Sequence, residues 1–393
     1  MLVKIIKSDC LCTTIKDDAV FFIFEKNYSM IVFTLDAGGT NFVFSIVEDG
    51  KINPKKIHKP ANGDNLEKCL KNIISGFEEL ATINNKNPDA ISFAFPGPAD
   101  FKNGIIGDLH NLPGFRGGVA LGKMIELWFK VPVFINNDGD LYAYGEAMAG
   151  TLPFINNILK KSGNNKSYSN ITGMTLGTGF GAGIVSNGQL LQGDNMCAAE
   201  IWITSNRVNP EYNSEEGVSI RAVKYFFSKF SEIPFSECPE PKEIYFIASD
   251  QKNKYSFAAQ KAFFELGRYL GDAIANIITL TDGIVVIGGG IAGAKEFIIL
   301  GINHELNREF KKLDGRTNKR LTHKVFCLNY ERELKDFLQD DKKLISVPYF
   351  ENIKIESYHI PKSAYMFSNF DTSEMISLGA YFFAVKQLKK TNT

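Results

Sequence analysis

Three glycine-rich turns are the residues of this chain best suited to bind a charged ligand. They occupy positions 36–40, 177–179 and 288–290, and each follows an apolar run typical of a buried strand. Glycine accepts positive φ angles and lets a ligand approach the backbone, whose successive N–H groups can then bind phosphate. A tight hairpin turn without a ligand is the alternative at each position. The candidate phosphate-binding residues are Asp36, Gly38, Gly39, Thr40, Gly177, Thr178, Gly179, Gly288, Gly289 and Gly290.

Asp36 and the two threonines offer chemistry that glycine lacks. Thr40 and Thr178 carry hydroxyl donors for phosphate oxygens. Asp36 does not suit phosphate, but its carboxylate suits Mg²⁺ held through water, which makes it the candidate metal-binding residue. The chain has no G-x4-G-K-[ST] run, and neither GGTNFV nor GTGFGA completes G-x-G-x-x-G with an acidic residue about 20 positions later. A P-loop NTPase and a dinucleotide-binding domain are therefore disfavoured.

The first two turns belong to an internal repeat. The pattern G-T-x-F-x3-I-V-x-[DN]-G begins at Gly39 and begins again at Gly177, 138 positions later. Each copy is typical of a strand, a glycine turn and a second strand that ends in a hairpin turn. The repeat predicts a two-lobed, pseudo-symmetric protein.

Regular elements surround these turns. Apolar residues at helical spacing predict helices over 64–83, 256–280 and 375–390. The run at 90–95 predicts a buried strand, and a helix is expected over about 140–149, after the polar run Asn136-Asn137-Asp138. Alternating strands and helices of this kind indicate an α/β protein.

Composition narrows the class of protein. The chain has 393 residues, enough for two domains, and a formal net charge of zero from 44 basic and 44 acidic residues. A neutral chain is a poor candidate to bind nucleic acid or an anionic membrane, and no run of about 18 apolar residues predicts a membrane span. Six dispersed cysteines are typical of free thiols in a reducing compartment, so we expect a cytoplasmic protein.

Seven segments resemble motifs of the ROK family (repressor, open reading frame, kinase) of the actin-like ATPase superfamily, and they follow one another along the chain in the order that the family has. DAGGT and LGTGFGAGIVSNGQL resemble the two phosphate loops of the family, and IVVIGGG resembles its adenosine-side loop. Each segment alone is weak evidence, whereas the ordered set is specific. The other four are FPGPAD (95–100), HNLPGF (110–115), NNDGDLYAYGE (136–146) and AAEI (198–201).

The resemblance implies a two-lobed, ribonuclease H-like fold in which each lobe is a mixed β-sheet with flanking helices. The N-terminal lobe is expected over 31–150, after a leader at 1–30 that resembles strands. The C-terminal lobe is expected over 151–375, with an insertion at about 311–345. A last helix, 376–393, is expected to pack back on the N-terminal lobe.

The resemblance also implies ATP-dependent phosphorylation of a hexose or N-acetylhexosamine, with Mg²⁺, by a homodimer. Asp138 falls on the position of the catalytic base, which would accept the proton of a sugar hydroxyl. A structural turn or helix cap is the alternative for this residue. The implied sugar-facing residues are Gly97, Asn111, Asn137, Glu200 and Glu215. Glu216 is an alternative to Glu215, and the identity of the sugar stays open.

One segment departs from the family. Many members bind zinc through a His and a CxCGxxGC cluster after the GEIGH segment, but positions 201–217 contain neither Cys nor His, so zinc is not expected. This loss favours an alternative function, a catalytically impaired sugar-binding regulatory protein of the same fold. The 35 residues before Asp36 do not resemble a helix-turn-helix domain, so binding to nucleic acid is not expected.

Overall fold

Two six-stranded mixed sheets form the frame of the chain. The computed structural model describes residues 30–38, 40–97, 99–109, 112–358 and 360–391. The strands predicted in the leader 1–30 lie outside these residues, apart from Met30.

The first sheet orders its strands β3-β2-β1-β5-β6, with β4 paired to β2. Strand β1 is antiparallel to β2, whereas β1, β5 and β6 are parallel, so the carboxyl ends of these three strands meet at one edge. The strands are β1 (Ile31–Ala37), β2 (Asn41–Glu48), β3 (Lys51–Ile52), β4 (Ile57–Pro60), β5 (Ala90–Ala94) and β6 (Val133–Asn136).

The second sheet has the order β13-β16-β10-β7-β8-β9. Its first hairpin, β7–β8, is antiparallel, and β7, β10, β16 and β13 are parallel. The strands are β7 (Asn170–Leu176), β8 (Phe180–Ser186), β9 (Gln189–Leu190), β10 (Ile284–Gly288), β13 (Lys324–Cys327) and β16 (Lys362–Phe367). Four further strands form two hairpins outside both sheets: β11 (Glu309–Lys311), β12 (Thr317–Lys319), β14 (Lys342–Val347) and β15 (Phe350–Tyr358).

The internal repeat is present in three dimensions. Phe42 on β2 and Phe180 on β8 occupy equivalent positions 138 residues apart in the chain, and their pairing partners are Ala37 and Leu176. Those partners are 139 positions apart, because the first glycine turn is one residue longer than the second. The two strand-turn-strand units therefore match in topology but differ in the turn itself.

Ten helices flank the sheets in the described part of the chain. The helix predicted over 64–83 corresponds to α1, in which the apolar residues Ile73, Phe77 and Leu80 are buried, and Asn65 caps it by accepting a hydrogen bond from the Lys68 N–H. The helices are α1 (Leu66–Asn84), α2 (Leu121–Phe129), α3 (Asp138–Met148), α4 (Thr151–Lys161), α5 (Ile220–Ser231), α6 (Pro241–Ser249), α7 (Ser256–Thr281), α8 (Lys295–Leu306), α9 (Glu331–Leu338) and α10 (Thr372–Thr391).

The region 311–345 contains more regular structure than its charged sequence indicates. Strand β13 lies in this region and extends the second sheet beside β16, and α9 packs against β13. The limits of the two lobes and of the insertion stay predictions. Among the helices that the structure describes, none is long and apolar enough to cross a membrane.

Helices α3 and α10 join the two sheets through a shared core. This core combines apolar residues of both sheets, such as Val32 on β1 and Val286 on β10, with side chains of α3 and α10. Helix α3 packs against β7 and β8, and α10 packs against α3, β1 and β5. The α3–α10 pair is therefore the structure through which one sheet positions the other.

Glycines let these two helices cross closely. A methyl group added to Gly145 on α3 would lie 1.9 Å from the Met375 carbonyl oxygen, and one added to Gly379 on α10 would lie 1.9 Å from the Leu141 carbonyl oxygen. Both distances are far inside van der Waals contact, so any side chain at either position must push the helices apart.

We expect Gly379→Ala to lower the free energy of unfolding by about 1–3 kcal/mol, the usual cost of overpacking a core. Gly293→Ala is the matched control, because a methyl group there meets no atom within 4 Å. Denaturant titrations followed by circular dichroism measure the difference. Equal stabilities of the two variants would contradict the proposed tight crossing.

Candidate active site

The carboxyl edge of the first sheet brings together the ends of β1, β5 and β6. Asp36, Ala94 and Asn136 are partners in register across these strands. The chain continues from this edge into the first glycine turn, into the segment of Gly97, and into Asp138 at the start of α3. Polar residues that are far apart in sequence therefore share one edge.

Asp138 is the first residue of α3, and the preceding residue caps the helix. The Asn137 side chain accepts a hydrogen bond from the Gly139 N–H at 2.8 Å, and Asp138 Oδ1 accepts from the same N–H at 2.9 Å. The Asp138 side chain is exposed to solvent, and none of the ion pairs between described residues involves it. Its other carboxylate oxygen therefore has no cation of the described chain competing with a ligand.

Three acidic side chains lie near one another at this end of α3. Desolvation by the surrounding protein raises the pKa of Asp138, even though its side chain reaches solvent. Burial, followed by the charges of Glu200 and Asp138, raises the pKa of Asp140 well above its ordinary value. Burial likewise raises the pKa of Glu200, and the charge of Asp138 adds to the effect. The surroundings thus raise the pKa of all three carboxyl groups, so that each takes up a proton more readily than an ordinary carboxylate.

Asp36 belongs to the same electrostatic environment from the side of β1. Desolvation raises the pKa of Asp36 to about 6, a hydrogen bond from Ser373 opposes this, and the charges of Asp138 and Asp371 add to it. Ser373 and Asp371 lie at the start of α10, so the helix that joins the sheets also contacts the first glycine turn region. Gly39 in that turn lies outside the described residues.

The second and third glycine turns lie side by side. Gly288 on β10 is in register with Thr175 on β7, and a methyl group on Gly289, where φ is +92°, would lie 2.3 Å from the Leu176 carbonyl oxygen. The Gly289 N–H donates to Thr372 Oγ1 at 2.9 Å, which ties the third turn to the start of α10. Methyl groups on Gly177 and Gly290 would meet no atom within 4 Å, so both backbones face open space that a ligand can enter.

The structure places Glu215 against the second glycine turn. Its Oε2 accepts a hydrogen bond from the Phe180 N–H at 3.0 Å and would lie 2.7 Å from a methyl group on Gly179. Its Oε1 lies 3.8 Å from Arg221 Nη2, and the neighbouring Glu216 is paired with the same guanidinium. Glu215 therefore supports the turn, and its predicted contact with a sugar stays a prediction.

Two of the other predicted ligand-binding residues contact each other. A methyl group on Gly97 would lie 3.1 Å from Asn137 Nδ2 and 3.1 Å from Phe101 Cζ, so a side chain there would crowd the Asn137 amide. Asn111 lies outside the described residues. Thr40 and Thr178 are exposed at their turns, where their hydroxyls are accessible.

Sequence reasoning missed the segment that positions Glu200. The Gln192 amide donates to Asn136 Oδ1 at 2.8 Å, and Met196 packs on the core of the first sheet. This segment thereby crosses from β9 to the first sheet before it reaches Glu200, whose Oε2 accepts a hydrogen bond from the Trp202 indole N–H. No periodic pattern marks Gln192 or Trp202, since both act through single long-range or turn contacts.

Among the described residues, no group of three or more His, Cys, Asp or Glu side chains is arranged to hold a metal ion. The predicted role of Asp36 toward Mg²⁺ is of a different kind, because water molecules would lie between the carboxylate and the ion.

Comparison with known proteins agrees with this architecture. The model of the ROK family matches residues 32–202. The crystal structure of a glucokinase from Parabacteroides distasonis has 44% sequence identity and a TM-score of 0.81, and the match covers 93% of this chain and 99% of that one. A glucokinase of Thermotoga maritima is 26% identical over 284 residues, which are 67% of this chain and 83% of the relative. An N-acetyl-D-glucosamine kinase of Vibrio cholerae is 25% identical over 272 residues, 65% of this chain and 83% of the relative.

Two repeated sheets joined over a pair of crossing helices, with glycine turns at their edges, define the actin-like ATPase fold. Within that fold, the matching family model and the 44% identity over nearly the whole chain show that this protein belongs to the ROK family. The fold predicted from the sequence motifs is therefore confirmed.

The raised pKa of Asp36 predicts that its charge destabilises the folded protein. A carboxyl with a pKa of about 6 in the folded state and 3.8 as its ordinary value favours folding only while it is protonated, and this contribution is lost as pH rises from about 4 through about 6. We expect Asp36→Asn to raise the free energy of unfolding at pH 7.5 by about 1–3 kcal/mol, and by much less at pH 4.

Denaturant titrations at the two pH values measure this effect. Asp64→Asn, an exposed residue before α1, is the control for loss of one acidic charge. A stabilisation by Asp36→Asn that is the same at both pH values would show that the carboxylate charge is not the cause.

Proposed function

We propose that the protein is a sugar kinase that transfers the γ-phosphoryl group of ATP to a hydroxyl of a hexose or N-acetylhexosamine. The observation that carries this proposal is the position of Asp138. Its carboxylate lies at the start of α3, is exposed and unpaired by any cation of the described residues, and its charge raises the pKa of both Glu200 and Asp36. A general base needs such an accessible oxygen together with a raised pKa.

The proposed sugar site surrounds the start of α3. Asn137 and Glu200 offer amide and carboxylate groups to vicinal hydroxyls, and the absence of a side chain at Gly97 leaves the Asn137 amide accessible. Asn111 and Glu215 are further proposed contacts from the family resemblance. Glucose is the first substrate to test, because the relative with 44% identity is a glucokinase, and N-acetylglucosamine is the second, because of the kinase from V. cholerae.

Asp138 would assist the attack of the sugar oxygen. As the bond from this oxygen to the γ-phosphorus forms, the hydroxyl proton passes to Asp138, and the bond from the phosphorus to the bridging oxygen of ADP breaks. Desolvation raises the pKa of Asp138, which makes this carboxylate a stronger base than an ordinary aspartate, so it accepts the hydroxyl proton more readily.

The three glycine turns would hold the phosphates. Open space beside Gly177 and Gly290 lets phosphate oxygens reach backbone N–H groups, as in other anion-binding turns. Asp36 would hold Mg²⁺ through water, and a bound Mg²⁺ neutralises charge on the β- and γ-phosphates. Asp36 fits this role because its carboxylate offers hard oxygen atoms, and it lies at the edge of the first sheet where the first glycine turn begins.

The homodimer implied by the family resemblance remains part of the proposal, and light scattering of the purified chain tests it. A sugar-binding regulator without turnover is the competing function. Its signature is thermal stabilisation by a sugar without release of ADP.

The first test is turnover with ATP and a panel of glucose, mannose, fructose, N-acetylglucosamine and N-acetylmannosamine. We expect wild-type turnover with at least one sugar, and a loss of kcat of about 100-fold or more in Asp138→Asn, because that variant keeps the shape of the side chain but loses the base. Coupled detection of ADP measures the rate.

Calorimetry measures whether Asp138→Asn still binds the sugar. Binding without turnover shows that the variant has lost the base and not the fold. Asp194→Asn, an exposed residue after β9, is the control for removal of one carboxylate. Full turnover in Asp138→Asn would remove Asp138 from the mechanism, and no wild-type turnover with any sugar would overturn the kinase proposal.

The pH dependence gives an independent test. Because the base must be ionised and its pKa is raised, kcat should fall as pH decreases through a value above the ordinary aspartate pKa of about 3.9. A pH–rate profile at saturating sugar and ATP measures this limb. A kcat that stays constant down to about pH 4 would contradict the raised pKa.

A further inference from the structure

The two glutamates of the proposed sugar site lie at the two ends of one short segment. Glu200 immediately precedes a 3₁₀ turn at Ile201–Ile203, and Glu215 lies within a second 3₁₀ turn at Ser214–Gly217. The first turn packs against β8, and the second packs against α5 and α7. Whatever fixes these two turns relative to each other also fixes the two carboxylates.

Hydrogen bonds between Thr204 and Ser214 close this segment. The Ser214 N–H donates to the Thr204 carbonyl at 2.9 Å, Ser214 Oγ donates to the same carbonyl at 3.1 Å, and the two hydroxyl oxygens are 3.0 Å apart. Thr204 Oγ1 also contacts the Ile201 carbonyl at 2.6 Å, and Ser205 and Asn213 form an isolated β-bridge. We call these contacts the Thr204–Ser214 closure.

Helix α7 anchors the closed segment through hydrogen bonds. The fully buried Asn206 amide donates to the Tyr269 carbonyl at 3.2 Å, and the Arg207 N–H donates to Asp272 Oδ2 at 3.1 Å. Gly217 leaves no room for a side chain, since a methyl group there would lie 1.9 Å from the Tyr269 ring. The segment is thus attached by its backbone and by buried polar groups to the apolar core between the second sheet and helices α5, α7 and α8, which we call the second core.

Trp202 acts on Glu200 directly. Its ring is half-buried against the second core, and its indole N–H donates to Glu200 Oε2. An aromatic ring held by packing has little rotamer freedom, so this hydrogen bond fixes one carboxylate oxygen. The other oxygen has no hydrogen bond to the part of the chain that the structure describes, so a ligand can approach it. The interaction also favours the ionised form of Glu200, against the desolvation that opposes it.

We propose that Trp202 is the positioning residue of Glu200 for sugar binding, and that the Thr204–Ser214 closure holds Glu200 and Glu215 in place without a metal ion. The inference rests on the proposed function, because it assigns these glutamates to the sugar. It explains how positions 201–217 keep a defined shape although they contain no Cys or His.

The first experiment separates sugar binding from phosphoryl transfer. Trp202→Phe keeps an aromatic ring but removes the indole N–H, and it should raise the KM for the sugar about tenfold or more while the KM for ATP stays unchanged, because a hydrogen bond to a charged group is lost. Trp128→Phe is the matched control, since Trp128 is exposed on α2 and donates to Glu78 on α1. A sugar KM in Trp202→Phe equal to that of the control would overturn the assignment.

The second experiment uses the fact that the chain has two tryptophans. In Trp128→Phe, all tryptophan emission comes from Trp202, and titration with the substrate sugar in the absence of ATP should change that emission. In Trp202→Phe, the remaining emission from Trp128 should stay constant. Active wild-type enzyme with no sugar-dependent emission from Trp202 would refute the proposal but leave the kinase function intact.

The third experiment tests the closure. Thr204→Val removes the hydroxyl at nearly constant shape and should raise the sugar KM, whereas Thr204→Ser, which keeps the hydroxyl, should behave as wild type. Treatment of wild type with phenanthroline, which removes zinc and leaves Mg²⁺, should not change the sugar KM. Equal effects of Thr204→Val and Thr204→Ser, or a rise in KM with phenanthroline, would overturn the metal-free closure, while absence of wild-type turnover with every sugar would instead refute the proposed function.

Discussion

The close crossing of α3 and α10 is the contact on which the rest of the structure depends. Gly145 and Gly379 bring the two backbones together, and the pair is surrounded by apolar side chains from both sheets. Packed interiors tolerate little displacement, so this contact transmits the position of one sheet to the other. The start of α3 carries Asp138, and the start of α10 contacts both Asp36 and the third glycine turn. One helix pair therefore sets the distance between the acidic residues and the turns that we propose to hold phosphate.

The carboxyl groups around Asp138 set the stability of the fold against the needs of the proposed site. Several carboxyl groups gather where the protein desolvates them, and the charge of Asp138 further raises the pKa of Asp36, Asp140 and Glu200. Such an arrangement destabilises the folded chain at neutral pH, and the burial of apolar side chains elsewhere must offset this cost. Functional sites often carry this kind of cost, because a base or a metal ligand is useful only when it is not neutralised by a nearby Lys or Arg.

The segment after β9 shows how two halves of a repeated fold acquire different tasks. In the first half, the equivalent hairpin leads through β4 to α1 along the same sheet. In the second half, the chain crosses to the first sheet at Gln192 and returns through Glu200 and Trp202 to the second core. The repeated strands supply a symmetric frame, and the unequal connection supplies an acidic residue at the point where the two halves meet.

The sequence by itself determined the local elements and the family. Glycine turns after buried strands, the repeat with a spacing of 138 positions, and the ordered motifs depend on short-range patterns, so they predicted the fold and the main helices correctly. Tertiary structure alone decided which side chains meet: the contact of Glu215 with the second turn, the hydrogen bond from Trp202 to Glu200, and the bridge from Gln192 to Asn136. These contacts join residues with no common period, and their formation depends on how the core packs, which no local pattern specifies.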